Sequence, residues 1–323
     1  VAEDSFVGGN FWDGRATGWK LGNPAADQAQ GPFLNPAEQA LPNAAELIDR
    51  VCDGHYGDLF RHVWGKQACA NPEKGYSAVA LSIAAFEASD PVNSFSAKYD
   101  LWLQGRAQLS EKERQGLSLF KGKAHCSACH VMEGSQGNVL FTDFSFDNLG
   151  IPPNPENPFY GMSDVLVDGK PLNPQGRDWI DPGLGGFLEG LAQDNSWRSL
   201  PYVTAGVRDM TSASLLVAAQ ANHGKHRVPT LRNVDRRPNP GFVKAFGHNG
   251  YFKSLRSIVH FYNTRDLLPA CPTLMTDSQA QAVPCWPAAE VTSNMNKTEL
   301  GNLGLTSVEE DAIVAFLRTL SDG

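Results

Sequence analysis

The chain has 323 residues, 41% of them apolar, which suits one large or two ordinary domains with a sizeable core and excludes a disordered chain. A net charge of −8 argues against a nucleic-acid or anionic-membrane partner, and no apolar run approaches the roughly 18–20 residues of a membrane span. With 31 Gly and 21 Pro, the sequence reads as loop-rich rather than as a simple helix bundle.

In chain order, Asn43 with Glu46 starts a helix that carries Leu47, Ile48 and Val51. A second helix is predicted from about Ser77 to Ala88, with Val79, Ile83 and Phe86 on one face. Ser110-Glu111-Lys112-Glu113 is a capping box ahead of Leu117 and Phe120. A fourth helix begins near Ser254 and includes Leu255, Ile258, Val259 and Tyr262. Thr306-Ser307-Val308-Glu309 is another capping box, and Ile313, Phe316, Leu317 and Leu320 repeat behind it at i, i+3, i+4, i+7. Residues 133 to 200 and 263 to 300 read as long loops, and strand patterns are nearly absent. The expected fold is therefore mostly α with long loops. A boundary near Asp100–Leu109 divides it into 1–104 and 105–323.

The six cysteines form three sequence-local pairs. Cys126-Ser-Ala-Cys129-His130 reads C-x-x-C-H, the attachment site of a c-type haem. One turn carries both sulfurs to the porphyrin vinyl groups and the adjacent imidazole to the iron. A thioredoxin-like redox pair would need a βαβ context, and half a zinc site a second ligand pair nearby; the sequence offers neither. Bacterial haem attachment takes place outside the cytoplasm, where the other cysteines can oxidise. Pairing Cys52 with Cys69 and Cys271 with Cys285 is the simplest of three connectivities; four buried free thiols are the alternative. Helix, C-x-x-C-H, long loop and final helix is the order of a class I cytochrome c-like domain, in which the first and last helices cross. A second axial ligand then comes from a later loop or helix.

Several segments together resemble the bacterial di-haem cytochrome c peroxidase family, including its MauG-like branch. They are Phe11-Trp12-Asp13-Gly14-Arg15, Gln28-Ala29-Gln30-Gly31-Pro32 with Asn35-Pro36-Ala37-Glu38, and Gly116-Leu117-Ser118-Leu119-Phe120. His226-Arg227-Val228-Pro229-Thr230-Leu231-Arg232-Asn233 and His248-Asn249-Gly250 followed by Ser254-Leu255 complete the set, and the run from Phe86 to Leu103 is similar to the family's inter-domain helix. The family has two C-x-x-C-H sites, the first ahead of its F-W-D-G-R; this chain has one and begins at Val1. One haem c is thus expected on this chain and a second on an N-terminal segment outside it, which leaves the N-terminal haem domain incomplete here.

The resemblance implies roles residue by residue. His130 is the proximal ligand, and Tyr262, fourteen residues after His248, stands where the MauG-like branch uses a tyrosine as second iron ligand and the peroxidase branch a methionine. A phenolate favours oxidised iron and lowers its potential. Met275, within the Cys271–Cys285 loop, is the rival ligand. Trp12 would relay electrons between the two haems. Glu38 would be the acid–base residue above the peroxide-reactive haem, with Gln28 and Pro32 lining the same pocket. Arg232 is expected to bind a haem propionate, with an ion pair of the protein as the alternative. Calcium is expected on backbone carbonyls near Val243 and Ala245, where the family usually has Thr and Pro. His248 reads as structural, and His125 has no assigned role. The implied function is a periplasmic di-haem oxidoreductase that uses hydrogen peroxide or high-valent haem to oxidise a side chain of a protein substrate. Reduction of peroxide with a small redox protein is the alternative among enzymes, and a mono-haem electron-transfer cytochrome the alternative outside them. No exit residue is singled out among Trp64, Trp102, Trp179, Trp197 and Trp286.

Overall fold

The computed structural model describes residues 6–134, 138–167, 169–239 and 241–323. It is mostly helical: α1 (Pro24–Leu34), α2 (Ala44–Asp53), α3 (Gly57–Trp64), α4 (Gln67–Ala70), α5 (Pro72–Glu87), α6 (Lys98–Leu103), α7 (Glu111–Lys121), α8 (Gly183–Gln193), α9 (Ala205–Arg208), α10 (Ser212–Ala221), α11 (Leu255–Thr264), α12 (Asp277–Ala282) and α13 (Ser307–Arg318). The described strands are two-residue pairs. β1 (Phe146–Asp147) pairs antiparallel with β4 (His226–Arg227), and β2 (Leu166–Val167) with β3 (Lys170–Pro171).

The chain forms two compact units. The N-terminal unit comprises Gly8–Ser94 with Phe187–Val217, and the C-terminal unit is built from Phe95–Gly186 and Ala218–Gly323. This division differs from a single break after residue 104: it falls near residue 95, and 187–217 pack with the N-terminal unit. Trp19 accounts for that packing. Its ring lies 5.4 Å from Trp197 and 6.3 Å from Phe187, and its carbonyl accepts from the Tyr202 amide.

In the N-terminal unit, Asn side chains start the main helices. Asn23 accepts from the amides of Ala25 and Ala26, Asn43 from Glu46, and Asn71 from Lys74. The Asn71 cap, with Pro72 at the first helical position, starts α5 five residues before the expected Ser77. The buried stripe also differs from the expected one. Tyr76, Ala80 and Ala84 are buried, whereas Phe86 is 65% exposed. Small residues let α1 and α5 approach closely, and Ala26, Ala80 and Ala84 form that contact. A second core of Leu47, Ile48, Phe60 and Tyr76 encloses the Cys52–Cys69 disulfide.

In the C-terminal unit both predicted capping boxes form, at Ser110/Glu113 and Thr306/Glu309. The helices they start cross at Gly116, whose missing side chain admits Ala312 and Phe316 of α13. Edge-to-face contacts among Tyr99, Phe120, Phe141 and Phe316, with centroids 5.2–6.3 Å apart, build the core beneath this crossing. The long polar loops are held by buried amides. Asn148 donates to the carbonyls of Val291 and Ser293, and Asn173 to those of Phe159 and Gly176. The second disulfide joins Cys271 to Cys285 around α12.

Candidate haem centre

The C-x-x-C-H segment leaves α7 through His125, an exposed residue with a left-handed φ of 54° that reverses the chain. A single 3₁₀ turn, Cys126–Ala128, follows, closed by the Cys129 amide on the Cys126 carbonyl, which also accepts from the His130 amide at 2.9 Å. Among the six cysteines, four are bridged as expected, and Cys126 and Cys129 alone are free thiols. Burial pushes both up to about 12, so they are held as neutral S–H groups. The His130 Nδ1 lies 2.8 Å from the Phe141 carbonyl. Donation there fixes the ring and leaves Nε2 as the lone-pair nitrogen. Burial also depresses the His130 pKa, which favours the neutral, ligating form.

Tyr262 lies on α11 near its C-terminal end. Ser254 caps the helix by accepting from the Ser257 amide, and Leu255, Val259 and Phe261 are buried along it. The rotation of the helix is set by residues flanking the tyrosine. His260 Nδ1 lies 2.9 Å and Asn263 Nδ2 2.6 Å from Glu310 Oε1 on α13, and the Asn263 side chain also brackets Leu305 through its amide and carbonyl. The Tyr262 carbonyl accepts from Gly301. Among the described residues nothing is hydrogen-bonded to the Tyr262 hydroxyl. Burial raises its pKa far above the ordinary tyrosine value, and the neighbouring Cys126, Cys129 and Asp147 reinforce that rise.

These donors fit a haem c: two free neutral thiols at C-x-x-C spacing, an imidazole oriented by its second nitrogen, and a buried phenol without a hydrogen-bond partner among the described residues. Sequence reasoning missed Asp147 and Glu299, whose carboxylates group with the Cys129 sulfur within 4.8 Å. Burial raises Asp147, against the hydrogen bonds from Asn296 and the Asn148 amide. Only packing joins the three, so no spacing in the sequence signals them.

Arg232 takes the ion-pair option. Its guanidinium binds Asp100 bidentately at 2.7 and 2.8 Å and reaches Asp322 at 3.1 Å, nine-tenths buried. Met275 is partly buried in the core of the same unit, and its carbonyl accepts from the Tyr251 hydroxyl. Val243 and Ala245 lie on an exposed segment.

The residues expected around a peroxide-reactive haem lie in the N-terminal unit. Gln28 and Pro32 are one turn apart on α1, and Glu38 is exposed in the turn after it. The Phe11 ring lies beside Gly31, 3.4 Å from where a side-chain carbon there would stand, which brings the Trp12 turn to the Gln28–Pro32 face. Trp12 itself is 45% exposed. Arg15 covers the Phe11 ring at 3.8 Å and pairs with Asp13.

Comparison with known proteins bears on the family. The family model of the di-haem cytochrome c peroxidases matches residues 1–108. The methylamine utilization protein MauG of Paracoccus denitrificans is 30% identical over 325 aligned residues, covering 99% of this chain and 70% of that protein. A cytochrome-c peroxidase of Denitromonas iodatirespirans is 25% identical, covering 99% of this chain and 67% of that protein. The crystal structure of the diheme peroxidase BthA from Burkholderia thailandensis superposes with a TM-score of 0.66 at 24% identity, covering 98% of this chain and 67% of that one. The chain belongs to the di-haem cytochrome c peroxidase family that includes MauG, a family of haem-dependent oxidoreductases.

Proposed function

We propose that this chain forms the body of a MauG-like enzyme, in which hydrogen peroxide is the oxidant and a side chain of a protein substrate the reductant. The observation that carries this reading is Tyr262, a buried phenol with no hydrogen-bond partner among the described residues, whose pKa Cys126 and Cys129 help to raise. Bound haem c supplies the one-electron chemistry. Cys126 and Cys129 would anchor it, and His130 and Tyr262 would ligate its iron. A hard phenolate donor favours the oxidised metal, which suits storage of oxidising equivalents more than rapid electron uptake from a small redox protein. Losing its proton, Tyr262 gains the anionic charge that its burial otherwise opposes, so ligation and deprotonation are coupled.

In the N-terminal unit, Glu38 would take a proton from one peroxide oxygen and return it to the other, and Gln28 and Pro32 would shape that pocket. Trp12 would relay electrons between the haem on this chain and the second haem of the family. Backbone carbonyls near Val243 and Ala245 would help hold calcium. Two disulfides support a periplasmic setting; among the described residues no helix is long and apolar enough to cross a membrane. Spectroelectrochemistry of the haem-loaded protein and its Tyr262→Met variant tests the reading. The expected result is a raised potential at one haem and loss of protein-substrate oxidation. Retained substrate oxidation at an unchanged potential would refute it and favour plain peroxide reduction.

A further inference from the structure

A polar cluster in the C-terminal unit lies outside the haem ligand set. Asp181 stands just before α8, His226 on β4, His248 in the turn after Phe246, and Glu290 in the loop ahead of α13. The His226 and His248 rings stack with centroids 3.6 Å apart and planes 7° apart. The Nε2 atom of His226 lies 3.5 Å from Asp181 Oδ1 and is buried without a hydrogen-bond partner among the described residues. One donor atom from each of Asp181, His226 and His248 falls within 4.8 Å of the other two. Behind them Glu290, with its side chain 2% exposed, binds His248 Nε2 at 2.9 Å, the Tyr160 hydroxyl at 2.6 Å, Asn249 Nδ2 at 3.2 Å and the Asp181 amide at 3.1 Å.

We infer that Asp181, His226 and His248 bind one divalent transition-metal ion of the zinc class, with Glu290 orienting His248. Three arguments converge. Two zinc ligands at their usual bond length are roughly 3.4 Å apart in tetrahedral geometry, which matches the 3.5 Å between His226 Nε2 and Asp181 Oδ1. Glu290 takes one nitrogen of His248 and leaves the other as the lone-pair donor, the carboxylate–histidine pairing that typically backs a metal ligand. Two buried carboxylates beside two imidazoles form an anionic interior that a dication neutralises. Imidazole donors favour such an ion over calcium or magnesium. Stacked rings aim their lone pairs side by side, so seating one ion on both turns the rings out of the stack.

The test uses the full-length, haem-loaded protein, in which Cys126 and Cys129 are consumed as thioethers. After chelator stripping, Zn²⁺ is titrated in competition with a chromophoric chelator, with Ca²⁺ and Mg²⁺ as controls. One Zn²⁺ per chain is expected at this site, without Ca²⁺ or Mg²⁺ binding there. Its affinity is expected to fall at least about 100-fold in His226→Phe, which keeps the ring stack but removes the donor, and about tenfold in Glu290→Gln. Unchanged melting of metal-free His226→Phe establishes that the variant folds. If His226→Phe binds Zn²⁺ as tightly as the parent, or the parent binds none, the inference is overturned and the cluster is a hydrogen-bonded clamp. Should His226→Phe fail to fold, Asp181→Asn carries the same comparison.

Discussion

The α7–α13 crossing offers a direct test of how the C-terminal unit is held together. A methyl group at Gly116 would lie 1.9 Å from the Ala312 carbonyl oxygen, 2.6 Å from its carbon and 2.8 Å from Phe316 Cβ, where ordinary contact begins near 3.4 Å. The two helices must therefore part by about 1.5 Å (3.4 − 1.9) at their closest point, since a backbone carbonyl cannot rotate aside as a side-chain tip does. Phe316 and Ile313, both buried at this crossing, then lose packing. Overpacking of this kind costs about 3 kcal/mol at the upper end of its range. Alanine returns up to about 1 kcal/mol through helix propensity. The expected net loss for Gly116→Ala is about 2 kcal/mol, or a Tm lowered by roughly 4–8 °C. Gly190→Ala is the matched control: it lies in α8, and a methyl there meets nothing within 4 Å, so only the propensity gain applies. Circular dichroism melts of both variants check this, and a Gly116→Ala protein as stable as the Gly190→Ala control would refute the crossing argument.

Arg232→Met leaves Asp100 and Asp322 buried without their cation; urea unfolding should show a loss of about 3–5 kcal/mol, and a loss under 1 kcal/mol would deny the pair its structural role. Acid sensitivity follows from Glu310 and Glu113. Burial raises both, but the bonds to His260 and Asn263, and to Lys98 and Ser110, outweigh it and lower their pKa below the ordinary 4.5. Such carboxylates stabilise the fold above about 4.5 and cease to do so as pH falls through their folded values. The urea midpoint should therefore drop between pH 5 and about pH 3 and drop less in Glu310→Gln; identical profiles would contradict the assignment.

What could be read in the sequence follows from range. Capping boxes act over three residues, so Ser110/Glu113 and Thr306/Glu309 announced α7 and α13, and Asn43 announced α2. The α5 face was misjudged because Val79, Ile83 and Phe86 outweigh alanines on any hydrophobicity count, although Ala80 and Ala84 are what a close helix contact requires. The helices α1, α8 and α10 are rich in Ala and Gly and carry little periodicity, so α8 reads as part of the loop at 133–200 and the other two are not predicted. Local cysteine spacing gave both disulfides. Tyr262 entered through resemblance, since no local rule marks a tyrosine as a ligand. The Asp181–His226–His248–Glu290 cluster was invisible because four distant segments assemble it, and only β1–β4 pairing and the buried loop amides bring them into place.

Resonance Raman spectroscopy of the ferric, haem-loaded protein grown with ring-deuterated tyrosine tests the iron–phenolate bond most directly. Tyr262 as ligand predicts iron–phenolate bands that shift on deuteration and vanish in Tyr262→Phe. Bands absent from the parent, or unchanged in Tyr262→Phe, would contradict the assignment and remove the basis for a MauG-like oxidising store.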